Sequence, residues 1–212
     1  MRTQLLVIAK APVPGRVKTR LCPPCTPEQA ADIAAAALAD TLAIAGATDA
    51  VRRTIIHCGQ YEPPDGWRRV PQRGDGLAAR LANGFADTAV PSLGSLLIGM
   101  DTPQVTPALL DALAAGLDEA DAVLAPAEDG GWWALALRDP NAAEALRDVP
   151  MSTVDTGRST VTALRARGLR VGYGPWLCDV DTAADAVRVA AQCPDGTFAA
   201  MVHRYLAPVA VS

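Results

Sequence analysis

Short, almost wholly apolar runs recur along this chain at intervals a helix can fill. Leu5-Leu6-Val7-Ile8-Ala9, Ser95-Leu96-Leu97-Ile98 and Asp121 to Ala127 are the plainest of them. A run this apolar and this short reads as a strand buried on both faces, which is the habit of strands in parallel sheets. Between the runs stand segments with helix start and stop signals. That alternation predicts an α/β fold, and 212 residues are enough for one well-buried unit and few for two, so residues 1–212 are expected to form a single domain.

The helix signals are local and chemical. Thr26 is a good N-cap, with Pro27 at the first helical position and Gln29 as a capping-box partner, so a helix is expected from Pro27 to about Ala45, closed by Gly46. Arg53 to Cys58 is a short β-like run that places His57 at a strand end, and Pro63-Pro64-Asp65-Gly66 is a turn. Further helices are expected from Pro107 to Leu117, Asn141 to Arg147, Gly157 to Arg167 with Gly168 as stop, and Ala183 to about Gln192. Leu169 to Tyr173 returns as a strand.

Charge and cysteine content remove several function classes. A formal net charge of −4 argues against a general nucleic-acid binder, which makes any basic cluster a local feature. No apolar run approaches the length of a membrane span, and Arg2 leads straight into the first strand without a cleavage-type site, so a cytoplasmic protein is expected. Five cysteines, odd in number and mostly scattered, fit that compartment. Cys22-Pro-Pro-Cys25 has redox spacing near a helix start, yet two unreactive loop thiols are the simpler reading. The other cysteines and the two histidines offer no matching pair for zinc.

Five stretches carry chemistry. The first strand empties into Lys10-Ala11-Pro12-Val13-Pro14-Gly15-Arg16-Val17-Lys18-Thr19-Arg20-Leu21, where four cations crowd one loop. They would repel one another unless an anion sat among them, and a strand's carboxyl end is where open α/β sheets bind ligands, so a polyphosphate is the expected partner. Gln72-Arg73-Gly74-Asp75-Gly76 precedes an amphipathic helix and offers close backbone approach. Asp101, in Ile98-Gly99-Met100-Asp101-Thr102-Pro103, ends a buried strand, where a charge needs a partner such as Mg²⁺ or Mn²⁺; a helix or turn cap is the alternative. Glu128-Asp129-Gly130-Gly131-Trp132-Trp133 brings acceptors, bare backbone and flat apolar walls together, as a small-molecule pocket or a plain hairpin. Asp179 and Asp181 alternate along an extended segment, so one of the two is expected to reach a given site. Thr182 or Asp181 also reads as an N-cap, with Asp185 in the first turn.

Taken together and in order, K-x-P-x-P-G-R-V-K-T-R-L at Lys10 to Leu21, Q-R-G-D-G-L at Gln72 to Leu77, I-G-M-D-T-P at Ile98 to Pro103, E-D-G-G-W at Glu128 to Trp132, Ser152-Thr153 and D-V-D-T at Asp179 to Thr182 resemble a bacterial family of GT-A-fold transferases. That family is labelled glycosyltransferase-like or nucleotide-diphospho-sugar transferase and is similar to 2-phospholactate guanylyltransferases and molybdenum-cofactor nucleotidyltransferases. The resemblance spans nearly the whole chain and implies a three-layer α/β/α Rossmann-like fold with a mostly parallel mixed sheet. It implies that the first loop wraps a triphosphate, with Gly15 beside it and Arg16, Lys18 and Arg20 on the developing charge. It implies a base wall at Gln72, Gly74 and Gly76, a divalent metal (Mg²⁺ or Mn²⁺) on Asp101 and Asp181, with Asp179 the weaker candidate, and an acceptor side at Asp129, Gly130, Gly131, Ser152 and Thr153. Trp132-Trp133 departs from the family's more usual tyrosine.

The implied reaction is nucleotidyl transfer from a nucleoside triphosphate to a small phosphorylated or hydroxylated acceptor with loss of pyrophosphate. Cations and metal do the work, with Arg16, Lys18 and Asp101 as the catalytic set and no protein nucleophile. Neither histidine lies in a motif, in keeping with that. Glycosyl transfer from a nucleotide sugar and non-catalytic nucleotide binding stay open as alternatives. A second copy of the chain is a candidate partner; nucleic acid and membrane are not expected.

Overall fold

The computed structural model describes residues 1–206. The run after Arg2 forms β1 (Thr3–Lys10), and because successive side chains point to opposite faces it feeds two cores: Leu5, Val7 and Ala9 turn to one, Leu6 and Ile8 to the other. The same division recurs in β4 (Gly94–Ile98), where Leu96 and Ile98 join the first core and Leu97 the second. The remaining strands are β2 (Arg53–Cys58), β3 (Arg68–Pro71), β5 (Ala122–Pro126), β6 (Trp132–Leu137) and β7 (Val171–Tyr173). They form one seven-stranded sheet in the order β3-β2-β1-β4-β6-β5-β7, in which β6 alone runs antiparallel to its neighbours.

Helices cover both faces, which makes the expected three layers and the mostly parallel mixed sheet. On the first face α1 (Pro27–Gly46) contributes Ala34, Leu38 and Leu42, and α3 (Pro107–Ala115) contributes Leu110 and Leu113. On the second, α2 (Gly76–Thr88) contributes Leu81 and Phe85, a 3-10 run at Pro140–Asp148 contributes Leu146, and α4 (Thr156–Ala166) contributes Val161 and Leu164. A third cluster joins the start of α1 to α5 (Ala183–Ala190) and α6 (Thr197–Leu206) through Ile33, Val189, Phe198 and Val202. Among the described residues no helix is long and apolar enough to cross a membrane.

Local chemistry explains the boundaries. The capping box at Thr26 is formed in both directions, the Thr26 amide donating to Gln29 Oε1 at 2.9 Å and the Gln29 amide to Thr26 Oγ1 at 3.3 Å. Thr182 caps α5 in the same way with Asp185, so Asp181 is not the cap. Several elements differ from the sequence expectation. The 141–147 segment is 3-10 rather than α, α3 hands over to a 3-10 turn at Gly116–Asp118, and β3 and α6 were not foreseen. The segment from Leu177 to Thr182 forms no strand; its one ladder contact is a parallel bridge between Ala127 and Leu177.

Candidate active site

β1 and β4 are parallel and end at the same edge of the sheet, while antiparallel β6 begins there. Their loops enclose a cleft of about 690 Å³. The cations Lys10, Arg16, Lys18, Arg20 and Arg80 line it, and so do the carboxylates of Asp101, Asp129, Asp179 and Asp181.

The basic loop is held in shape by its backbone. Val13 to Arg16 close a turn, with Gly15 at φ +72°, and Lys18 takes a left-handed conformation (φ 48°) that starts the 3-10 turn Thr19–Leu21. From there two cations cross the cleft. The Lys18 side chain, only 9% exposed, brings its ammonium to 2.6 Å from Asp101 Oδ1, and that ammonium also donates to the Val180 carbonyl. The Arg20 guanidinium lies 2.5 Å from Asp181 Oδ2, and that carboxylate raises its pKa further. Val180 in turn donates its amide to the Asp101 carbonyl at 2.9 Å. The carboxylate of Asp101 makes no helix cap: the start of α3 is capped by Thr106, which accepts from the Leu109 amide.

Asp179 and Asp181 both line the cleft, which corrects the expectation that one of them would face away. Strict alternation holds only for a strand, and this segment is irregular. Burial, with the Asp129 charge second, pushes the Asp179 carboxyl up to about 6, and Lys18 acts against the shift. Among the described residues neither Asp179 nor Asp129 takes part in an ion pair, whereas Asp101 and Asp181 do. Asp129 also orders its own turn, since Oδ1 accepts the Gly131 amide at 2.7 Å.

The glycines divide by role. Gly76 and Gly131 line the cleft. Gly130 is not among the lining residues; a Cβ there would stand 2.1 Å from the Val154 carbonyl oxygen, so its bareness serves the packing of the β5–β6 turn against the loop before α4. Gly74 likewise sits against Asn83 and Ala79 rather than on the cleft wall. Gln72 does line the cleft, yet its amide nitrogen is occupied by the carbonyls of Ala9 (2.8 Å) and Ile56 (3.1 Å), which leaves its oxygen for a ligand. Ser152 and Thr153 also line the cleft, with Thr153 tied to Thr156 at the start of α4.

Arg80 and Asp179 are the charged lining residues that motif reading passed over or ranked low. Arg80 stands one helical turn after Gly76, and that spacing was a usable signal. Its Nε donates to the Gly74 carbonyl at 3.2 Å, and among the described residues no carboxylate pairs with it. His57, with Nδ1 2.7 Å from the Gly59 carbonyl, is a strand-end residue away from the cleft. All five cysteines are free thiols, and burial together with Cys22 raises the pKa of Cys25, the reverse of an activated redox thiol.

Among the described residues no three His, Cys, Asp or Glu side chains form a ready metal cage. The donor set still fits a magnesium-like ion, because such ions are commonly held by one or two carboxylates while keeping water and phosphate oxygens as their other ligands.

A family model for an uncharacterized protein conserved in bacteria (DUF2064) matches residues 29–153, more than half of the chain. No curated protein matches it. Among solved structures, a protein of Desulfovibrio desulfuricans G20, named as a candidate nucleotide-diphospho-sugar transferase, is 23% identical with a TM-score of 0.79, over 97% of this chain and 99% of the other. Rv0371c of Mycobacterium tuberculosis H37Rv, solved in complex with manganese, is 23% identical with a TM-score of 0.55, over 89% and 98%. The 2-C-methyl-D-erythritol 4-phosphate cytidylyltransferase of Thermus thermophilus is 15% identical with a TM-score of 0.58, over 92% and 100%. These likenesses establish a shared fold.

Proposed function

The chain belongs to the bacterial DUF2064 family, and we propose that it is a cytoplasmic, metal-dependent nucleotidyltransferase acting as one unit. The observation that carries this reading is the convergence on one cleft of loop cations after β1 with carboxylates from two distant segments, after β4 and before α5. A cluster of cations suits a triphosphate, and hard carboxylates suit the ion that travels with it.

In this proposal Arg16, Lys18 and Arg20 hold the triphosphate beside Gly15, and Gln72 and Gly76 border the base, with Gly74 shaping that wall from behind. Asp101 and Asp181 hold Mg²⁺ or Mn²⁺, with Asp179 beside them. A bound divalent ion would draw charge from the phosphate oxygens and lower the barrier to displacement at the α-phosphorus. Asp129, Gly131, Ser152 and Thr153 face the acceptor, and Gly130 positions their turn. The acceptor oxygen attacks in line, pyrophosphate departs, and the loop cations stabilise the charge that develops on it. The cytidylyltransferase among the structural neighbours supports this reading, as does the motif resemblance to guanylyl- and molybdenum-cofactor nucleotidyltransferases.

Glycosyl transfer is the second reading, favoured by the name of the Desulfovibrio neighbour and its TM-score of 0.79. Incubating the protein with Mg²⁺ and a panel of small phosphorylated and hydroxylated acceptors, together with each ribonucleoside triphosphate or with UDP-, GDP- and dTDP-sugars, separates the two. Release of pyrophosphate is expected. Turnover of a nucleotide sugar to the nucleoside diphosphate, with no pyrophosphate from any triphosphate, overturns the proposal. Asp101→Asn is expected to lower turnover by at least about a hundredfold with circular dichroism unchanged.

A further inference from the structure

The two groups of residues assigned to the triphosphate and to the metal are not independent, because within the cleft they bind each other. Lys18 closes on Asp101 at 2.6 Å, and Arg20 on Asp181 at 2.5 Å. Both contacts join the loop after β1 to segments far away in sequence, and Lys18 is fixed further by the Val180 carbonyl. From this geometry, and resting on the nucleotidyl-transfer reading, we infer that the cleft's own ion pairs occupy the groups that would hold metal and triphosphate, so that each ligand favours the other's binding by exchange of partners.

A bare triphosphate entering the cleft can draw Lys18 and Arg20 away, but it leaves Asp101 and Asp181 unpaired beside its own negative oxygens, next to Asp129 and Asp179. A bare divalent ion draws off the two carboxylates and leaves two cations unpaired, one of them on a nearly buried side chain. The cost of an unpaired charge falls chiefly on Lys18, whose side chain is 9% exposed, whereas water screens the 75% exposed Arg20, so the penalty that the second ligand removes lies mainly at the Lys18–Asp101 pair. When both arrive, the carboxylates pass to the ion and the cations to the phosphates, and no charge is orphaned. Five cations against four carboxylates line the cleft, a near-neutral wall that suits the metal–triphosphate complex better than either part. Two sites that each favour the same opened arrangement are thermodynamically coupled, and the coupling is reciprocal.

Titration calorimetry with inorganic tripolyphosphate and with each ribonucleoside triphosphate, in EDTA and in Mg²⁺, reads the coupling directly; Mn²⁺ alone is followed by electron paramagnetic resonance. Metal is expected to tighten triphosphate binding by at least about tenfold. The two single variants are expected to move the partial ligands in opposite senses. Asp101→Asn, which frees Lys18, tightens metal-free tripolyphosphate and loses the metal enhancement. Lys18→Met, which frees Asp101, tightens Mn²⁺ alone and weakens tripolyphosphate. Arg20→Met, at the more exposed pair, repeats the second result should the buried variant fold poorly. Triphosphate binding that is equal with and without metal overturns the exchange and leaves nucleotidyl transfer standing, as does an Asp101→Asn variant that weakens metal-free binding. Failure of every triphosphate to bind in any buffer overturns both.

Discussion

At the scale of single residues, the glycines differ in what surrounds them, and Gly15, which is not among the cleft-lining residues, is the open case. Gly130 combines φ +90° with a Cβ position 2.1 Å from the Val154 carbonyl oxygen, whereas a Cβ on Gly15, at φ +72°, meets nothing within 4 Å. Gly130→Ala is therefore expected to cost about 2–4 kcal/mol in urea denaturation, and Gly15→Ala only the backbone strain of about 1 kcal/mol. The thiols differ as sharply. Burial pushes Cys178 and Cys193 each up to about 11, while Cys58 is exposed. Iodoacetamide at neutral pH should label Cys58 first and leave Cys178 and Cys193 unmodified in the native protein, as read by mass spectrometry. Asp101 was legible in the sequence because a carboxylate ending a buried strand has few structural explanations. The shared orientation of Asp179 and Asp181 was not, because a two-residue alternation predicts side-chain direction only in a regular strand and Cys178 to Asp181 follows none.

At the scale of elements, signals confined to a few neighbouring residues were readable and those supplied from a distance were not. The Thr26 capping box announced α1 within four residues. α6 has its cap elsewhere: the amides of Thr197 and Phe198 donate to Asp40 of α1 at 3.2 and 2.8 Å, and Tyr205 donates to Asp32 at 2.7 Å. A cap lent across more than 150 residues leaves no local trace. Phe198, fully buried under α1, is the anchor of this pairing, and Phe198→Ala should cost about 3–5 kcal/mol in chemical denaturation. β3 was missed for a related reason, since a four-residue edge strand bearing two arginines carries little apolar pattern. At the other edge β7 is tied by Asp121, which accepts from the Arg170 amide, Nε and a terminal guanidinium nitrogen at 3.0, 3.1 and 3.2 Å. Those bonds, the Arg170 side chain first, hold the Asp121 carboxyl below its ordinary 3.8. A depressed folded pKa gives stability that is present above the unfolded value and lost as pH falls through the folded one. Thermal melts should show wild type ahead of Asp121→Asn at pH 6, with that lead disappearing as the pH is taken below about 3.8.

At the scale of the whole molecule, the sheet order places slow and fast regions. β1 and β4 lie in the middle with both faces covered by helices, and β3 and β7 lie at the rims. Amide hydrogen exchange should accordingly be slowest in β1, β4 and β6 and fastest at the two edges. The three-layer α/β/α arrangement followed from the motif resemblance, and the alternation of buried runs with helix signals agreed with it. The position of β6 was harder to read, because Trp132 to Leu137 looks the same whether it runs up or down the sheet, and only its tight turn from β5 decides. Strand reversal brings the short turn from Ala127 to Gly131 to the cleft edge, beside Asp101, while the loop after β1 and the carboxylate segments come from other parts of the chain. That hairpin is pinned from both sides, the Gly157 amide donating to the Gly130 carbonyl at 2.9 Å and the Glu128 amide to the Leu177 carbonyl at 3.1 Å, so a change of length in either anchoring segment would be felt at the cleft as a shift of the turn.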